Sequence, residues 1–217
     1  MTTKEWIDFI KEEVESSLTL FYGYAAFSEK LKDQSWVNLI NRNVRFWKIY
    51  AASTQRSLFL SLGRLSDDGP DCKSFTDFQA ICFTQIADFS KEEYLIRNPD
   101  IMKINPNYFD NAYFPTKEDF ATLFKQTSQY NKYLRDECKA IRSKVFAHAI
   151  LNKEEEYLEL FKAVTLDDIE KALLTYYSII RDIWDLFHNL RKPKNKPYKF
   201  DEKDAIYDSI ALAINEK

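Results

Sequence analysis

Apolar residues recur along most of this chain at steps of three and four, the spacing that lines one face of an α-helix. Helix-start signals punctuate these runs and predict five or six helices. Thr2 with Glu5 makes a capping-box pattern ahead of "WIDFIKEEVESSLTLFYGYAAF", and Ser35 can cap "WVNLINRNVRFWKIYAASTQRSLFLSLGRL", a run that ends at Gly69-Pro70. A shorter helix follows Ser74, and "KEEYLIR" reads as another turn or two. From Asn98 to Pro115 the period is lost in an aromatic-rich loop with three prolines. A cap at Thr116 then opens a long helix predicted to reach about Leu151, "KEEEYLELFKAV" reads as a short helix, and another begins at Thr165 and carries "IEKALLTYYSIIRDIWDLFHNLR".

The expected architecture is all-α: an up-and-down bundle of five to six helices over residues 1–191, a basic linker over 192–200, and a short C-terminal helix over 201–217 packed on the bundle. Composition agrees, since 45% hydrophobic and 30% charged residues with only three glycines suit helices better than a turn-rich β protein. The net charge of −3 excludes a global attraction to nucleic acid or an anionic membrane, so any such contact must come from a local patch. The start "MTTKEWIDFIKEEVESS" lacks the order of a secretory signal, and the uncharged stretch from Ser17 to Phe27 falls short of a membrane span. A cytoplasmic protein without membrane association is expected. Cys72, Cys82 and Cys138 are far apart and without C-x-x-C spacing, which reads as small buried hydrophobes; no metal or other cofactor is expected.

The candidate chemistry lies in "IRSKVFAHAI". On the helix after Thr116 an apolar stripe runs through Phe120, Phe124, Tyr130, Leu134, Cys138, Ile141 and Val145, and its next position is His148. A histidine there packs as a hydrogen-bonded core residue or serves catalysis. Lys132, Arg135, Lys139 and Arg142 form a second stripe of four cations, either a solvated face or a phosphate track leading toward His148, with Asp136 and Glu137 expected to point elsewhere. Arg142 and His148 are six residues apart, which in an α-helix separates them by about 120° around the axis and about 9 Å along it. Convergence on one ligand would follow if a two-fold axis near His148 brought two histidines and two arginines together. That set suits metal-free RNA cleavage, with one imidazole as base, one as acid, and arginines holding charge on phosphorus.

The run Arg142-Ser-Lys-Val-Phe-Ala-His148 resembles the R-x(4–6)-H signature of the HEPN superfamily, and "RSKVFAH" is most similar to its abortive-infection U-type (AbiU-like) branch. "LFLSLGRLSDD", with Arg64, Leu65 and Asp67, is similar to the helix ending in Arg-Leu-x-Asp of that branch. The resemblance covers about Trp6 to Arg191. It implies a helical bundle dimerising through its motif helices, with endoribonuclease activity of toxin or phage-defence type. RNA is the implied substrate, and a neutralising antitoxin or a nucleotidyltransferase the implied candidate partner. Arg142 and His148 would be the catalytic pair, Ser143 would take the polar position and Lys144 would contact phosphate. Ser143 stands where many active members carry Asn, Asp or His, which keeps open a non-catalytic module that binds RNA, a nucleotide or a protein. Arg64 and Asp67 read as a buried or helix-end ion pair, with the alternative that Asp67 or Asp68 orients Arg142 or His148. Of the remaining features, His188 reads as packing or capping. The linker cations read as a nucleic-acid contact or a solvated spacer, and Tyr108, Phe109, Tyr113 and Phe114 as a stacking surface or cleft cover.

Overall fold

The computed structural model describes residues 1–67, 69, 73–147 and 159–215. Among them the regular elements are all helical: α1 (Thr3–Lys30), α2 (Gln34–Ile40), α3 (Val44–Ser66), α4 (Phe75–Thr84), α5 (Lys91–Arg97), α6 (Ile101–Ile104), α7 (Lys117–Phe124), α8 (Thr127–Tyr133), α9 (Lys139–Ile141), α10 (Leu166–Asn189) and α11 (Lys203–Asn215). The all-α class holds, but the segments outnumber the five or six expected. Asn43 leaves the helical region at φ −139°, ψ 53° and cuts the second long run into α2, a short 3-10 turn and α3. The long run after Thr116 is divided as well, by a break at residues 125–126 and by two π-helical stretches described below. Of the short helix expected over 153–164, residues 159–164 are described, and 159–162 of these are helical.

The capping box at Thr2 and the cap at Thr116 form as the sequence predicts, the second also as a capping box with Asp119, and the threonine before α10 accepts the Asp168 N–H. The start of α2 differs: Asp33, not Ser35, is the cap, its carboxylate taking the N–H and the hydroxyl of Ser35 at 2.8 and 2.7 Å. A carboxylate is the stronger acceptor at a helix N-terminus.

Helix α1 runs through the middle of the bundle and packs on α3, α10 and α11. Ile7, Ile10, Val14, Leu18 and Phe21 form its buried stripe, and Ile169, Leu173, Tyr176, Ile180 and Ile183 the matching stripe of α10. A smaller apolar cluster of Phe27, Ile40, Trp47 and Ile214 joins α1, α2, α3 and α11 at one end. Helix α11 is fastened further by Glu170, which accepts from Tyr22 Oη at 2.8 Å and from Lys203 Nζ at 3.0 Å.

The basic linker is a packed strap and not a free spacer. The buried Asp182 carboxylate accepts the N–H groups of Lys194 and Asn195 and the Tyr198 hydroxyl at 3.1, 2.9 and 3.0 Å, and Ser178 Oγ accepts the Tyr198 N–H. The aromatic loop likewise packs down. Tyr108 stacks on Tyr94, Phe109 meets both rings edge-on, and Tyr113 donates to Asp119, which leaves Phe114 as the exposed ring of the four. His188 sits in the last turn of α10 against Trp184 and Phe187, a packing role. Cys82 and Cys138 are buried and free, and burial pushes the Cys138 thiol up to about 12; Cys72 lies outside the described residues. No helix of the described residues is long and apolar enough to cross a membrane.

Candidate functional site

The motif segment is built on a widened helix. After α8, residues Leu134–Cys138 form a π-helical stretch, α9 supplies one α turn, and Arg142–Ala147 form a second π stretch. Such i→i+5 turns are rare and concentrate at functional sites. The apolar stripe anticipated from the sequence survives the change: Leu134, Cys138 and Ile141 are fully buried and Val145 is half-buried. Phe146 anchors the second π stretch against Phe59 of α3, ring centroids 5.6 Å apart, and against Phe161. The angular estimate does not survive. A π turn takes up about one residue more than an α turn, so the 120° separation of positions 142 and 148 expected for an α-helix does not apply here.

Arg142 crosses to the C-terminal end of α3. Its Nη1 donates to Asp67 Oδ2 at 3.0 Å, with both side chains about one fifth exposed (19% and 21%). Lys139 Nζ approaches the other carboxylate oxygen of Asp67 at 3.9 Å. Between these contacts the Arg142 side chain lies flat over Gly63: a Cβ at position 63 would stand 2.5 Å from Arg142 Cδ and 2.9 Å from Cζ, closer than atoms can approach. The absent side chain of Gly63 and the carboxylate of Asp67, one helical turn apart, thus define a groove and an anchor for one guanidinium.

This arrangement corrects the ion pair expected between Arg64 and Asp67. Arg64 Nε instead donates to Glu13 Oε2 of α1 at 2.8 Å, because a residue three before the cap points to the side of α3 that faces α1. Asp67, in extended conformation just past the helix, faces the motif segment. Of the other candidates, Ser143 is half-buried and Lys144 exposed. Lys132 and Arg135 are exposed, and Asp136 does not point away as expected, since its carboxylate sits 3.3 Å from Arg135 Nε. The four-cation stripe is therefore split into two solvent-facing residues and two, Lys139 and Arg142, that lean on Asp67. His148 and Asp68 lie outside the described residues.

Gly63 was missed by motif reasoning, which drew Arg64 and Asp67 from the same run. A signal was available: glycine inside a helix costs about 1 kcal/mol relative to alanine, so a mid-helix glycine asks for a close neighbour. The identity of that neighbour, 79 residues further along, is a property of the fold.

Comparison with curated proteins and with solved structures returns no match. The model of the HEPN AbiU2 family, in contrast, matches residues 3–208, from the first turn of α1 into α11 and across both halves of the site. With that match over almost its whole length, an all-helical fold, and an arginine of the R-x5-H run seated on the helix end that carries Arg-Leu-x-Asp, the chain belongs to the AbiU2 family of HEPN proteins.

Proposed function

We propose that this chain is a metal-independent endoribonuclease of abortive-infection type, toxin or phage-defence, that cleaves RNA at a site shared by two copies, with Arg142 and His148 as the catalytic residues. The observation that carries the reading is the seat of Arg142. A guanidinium held by one carboxylate over a glycine keeps further N–H donors for a phosphate, and its position is set before substrate arrives. In the reaction a neutral His148 imidazole takes the proton of a ribose 2′-OH, and the 2′-oxygen attacks the adjacent phosphorus. The bond to the 5′-oxygen breaks as that oxygen receives a proton from the protonated imidazole of the second copy. The products are a 2′,3′-cyclic phosphate and a 5′-hydroxyl. Arg142 stabilises the charge that builds on the phosphoryl oxygens, Asp67 orients Arg142, and Lys144 with Lys132, Arg135 and Lys139 contacts the flanking phosphates.

Purified protein incubated with RNA in EDTA should release fragments with cyclic phosphate ends, and Arg142→Ala and His148→Ala should each lower the rate by about 10²-fold or more. Unchanged cutting by His148→Ala sinks the assignment. One observation favours a second reading, a non-catalytic module that binds RNA, a nucleotide or a protein partner such as an antitoxin or nucleotidyltransferase: Arg142 already has a carboxylate partner, and a serine follows it. RNA binding by wild-type protein with no cleavage would select that reading.

A further inference from the structure

The exposed face of α3 carries a charge pattern that the motif does not explain. From Gln34 to Ser66 the chain has five Lys or Arg and no Asp or Glu, although the whole protein is net negative at −3. Arg45, Lys48 and Arg56 are exposed, and among the described residues none of them has an acidic side chain within ion-pair distance. Arg45, Ile49, Ala52 and Arg56 follow one another at steps of four, three and four, which keeps them on one side of the helix. The same line continues at steps of four, three and four through Leu60 and Gly63 to Asp67, the two positions that seat Arg142. From Arg45 to Gly63 it covers about 27 Å at 1.5 Å per residue. Apolar side chains sit between the cations and face solvent: Ile49 is 61% exposed, Phe46 beside it 52%, and Leu60 37%.

We infer that the outer face of α3 is the track on which single-stranded RNA approaches the Arg142 site, a reading whose end point rests on the proposed nuclease function. Repeated phosphates supply the negative charge that three uncompensated cations at helical spacing would meet. Unpaired bases can lie on Phe46, Ile49 and Leu60, contacts that a duplex, with its bases stacked inside, does not offer. A second copy of the chain is a poorer occupant. Two α3 faces related by a two-fold axis would set cation against cation, with no acid in the segment to answer. The line also runs directly to Gly63, so a strand following it arrives over the Arg142 guanidinium.

The test is binding of a fluorescent 20-nucleotide RNA with 2′-O-methyl riboses, which lacks the attacking hydroxyl, measured by anisotropy over a salt series. Wild type is compared with the triple variant Arg45→Gln/Lys48→Gln/Arg56→Gln, with Phe46→Ala, and with Lys103→Gln/Lys117→Gln, exposed lysines of α6 and α7, as a surface-charge control, with helicity and oligomeric state checked for each. The triple variant should flatten the dependence of log affinity on log salt by about 2, at about 0.7 per lost phosphate contact, and bind at least about 10-fold more weakly at low salt. Phe46→Ala should weaken binding with the salt slope unchanged. An unaltered slope and affinity in the triple variant overturn the track, as does a change in oligomeric state with RNA binding intact, which would mark α3 as a contact between copies or with an acidic protein. Binding that depends on α3 while all-ribose RNA stays uncut upholds the track and overturns the nuclease reading. Cleavage by the triple variant at wild-type KM overturns the track alone, and absence of RNA binding by wild type overturns both.

Discussion

At position 63 a methyl group would occupy space that the Arg142 side chain fills, so Gly63→Ala sets two effects against each other. The alanine favours the helix by about 1 kcal/mol, and the clash drives the guanidinium off its seat. On the proposed nuclease reading, the expected outcome is a fold of nearly unchanged stability with RNA cleavage lowered by about 10²-fold, the cost of moving the guanidinium by about an ångström. Thermal melts and cleavage rates of the variant check this, and a wild-type rate would refute the seat. Asp67→Asn addresses the other half of the anchor. Because the pair is partly exposed, its loss should cost only about 1–2 kcal/mol in a denaturant titration, and on the proposed nuclease reading should lower cleavage further than that figure alone explains. His188 supplies a pH prediction. Burial against Trp184 and Phe187 lowers its pKa, with Asp8 raising it in part and Lys4 and Arg97 lowering it, and its Nε2 is buried with no hydrogen-bond partner among the described residues. A histidine harder to protonate in the folded than in the unfolded chain stabilises fully above the unfolded value of about 6.5, and that contribution is lost as pH falls from there toward the folded value. The Tm of wild type should therefore drop more between pH 7 and pH 5 than that of His188→Phe, and parallel curves would show that His188 is not linked to folding.

Among the elements, the strap over 192–200 and the widened motif helix depart most from what spacing suggests. The five cations over 191–199, punctuated by prolines, read as a solvated linker or a nucleic-acid contact, because nothing local indicates that a carboxylate on α10 waits for two backbone N–H groups and a tyrosine. Asp182→Ala removes three hydrogen bonds from a buried acceptor. It should cost about 2–4 kcal/mol in urea unfolding and expose the amides of Lys194 and Asn195 to fast hydrogen exchange; retained protection would mean that the strap is held by its ring contacts instead. The motif helix shows the opposite case. Its apolar stripe was legible because burial of Leu134, Cys138 and Ile141 depends on which side faces the core, and that side is kept through the π stretches. The relation between the polar residues was not legible, since a pattern read at 3.6 residues per turn assumes the turn that the structure replaces.

For the whole molecule, the proposed sharing of the site by two copies would make activity a property of concentration. Specific activity per chain should fall on dilution through the dimer dissociation range, in parallel with the shift of sedimentation from twice the 25.8 kDa chain mass to one. Constant specific activity in a sample that sediments as a monomer would rule out the shared site. The family and its all-helical class were readable from the chain alone, because caps, helical periods and the R-x5-H run are local in sequence and each is recognised without knowing what it packs against. The pairing of Asp67 with Arg142 instead of Arg64, the glycine that makes room for that arginine, and the alignment of the α3 cations with the same point were decided by tertiary structure. Each depends on which faces of α1, α3 and the motif helix are turned together, and sequence periodicity determines a face but not its neighbour.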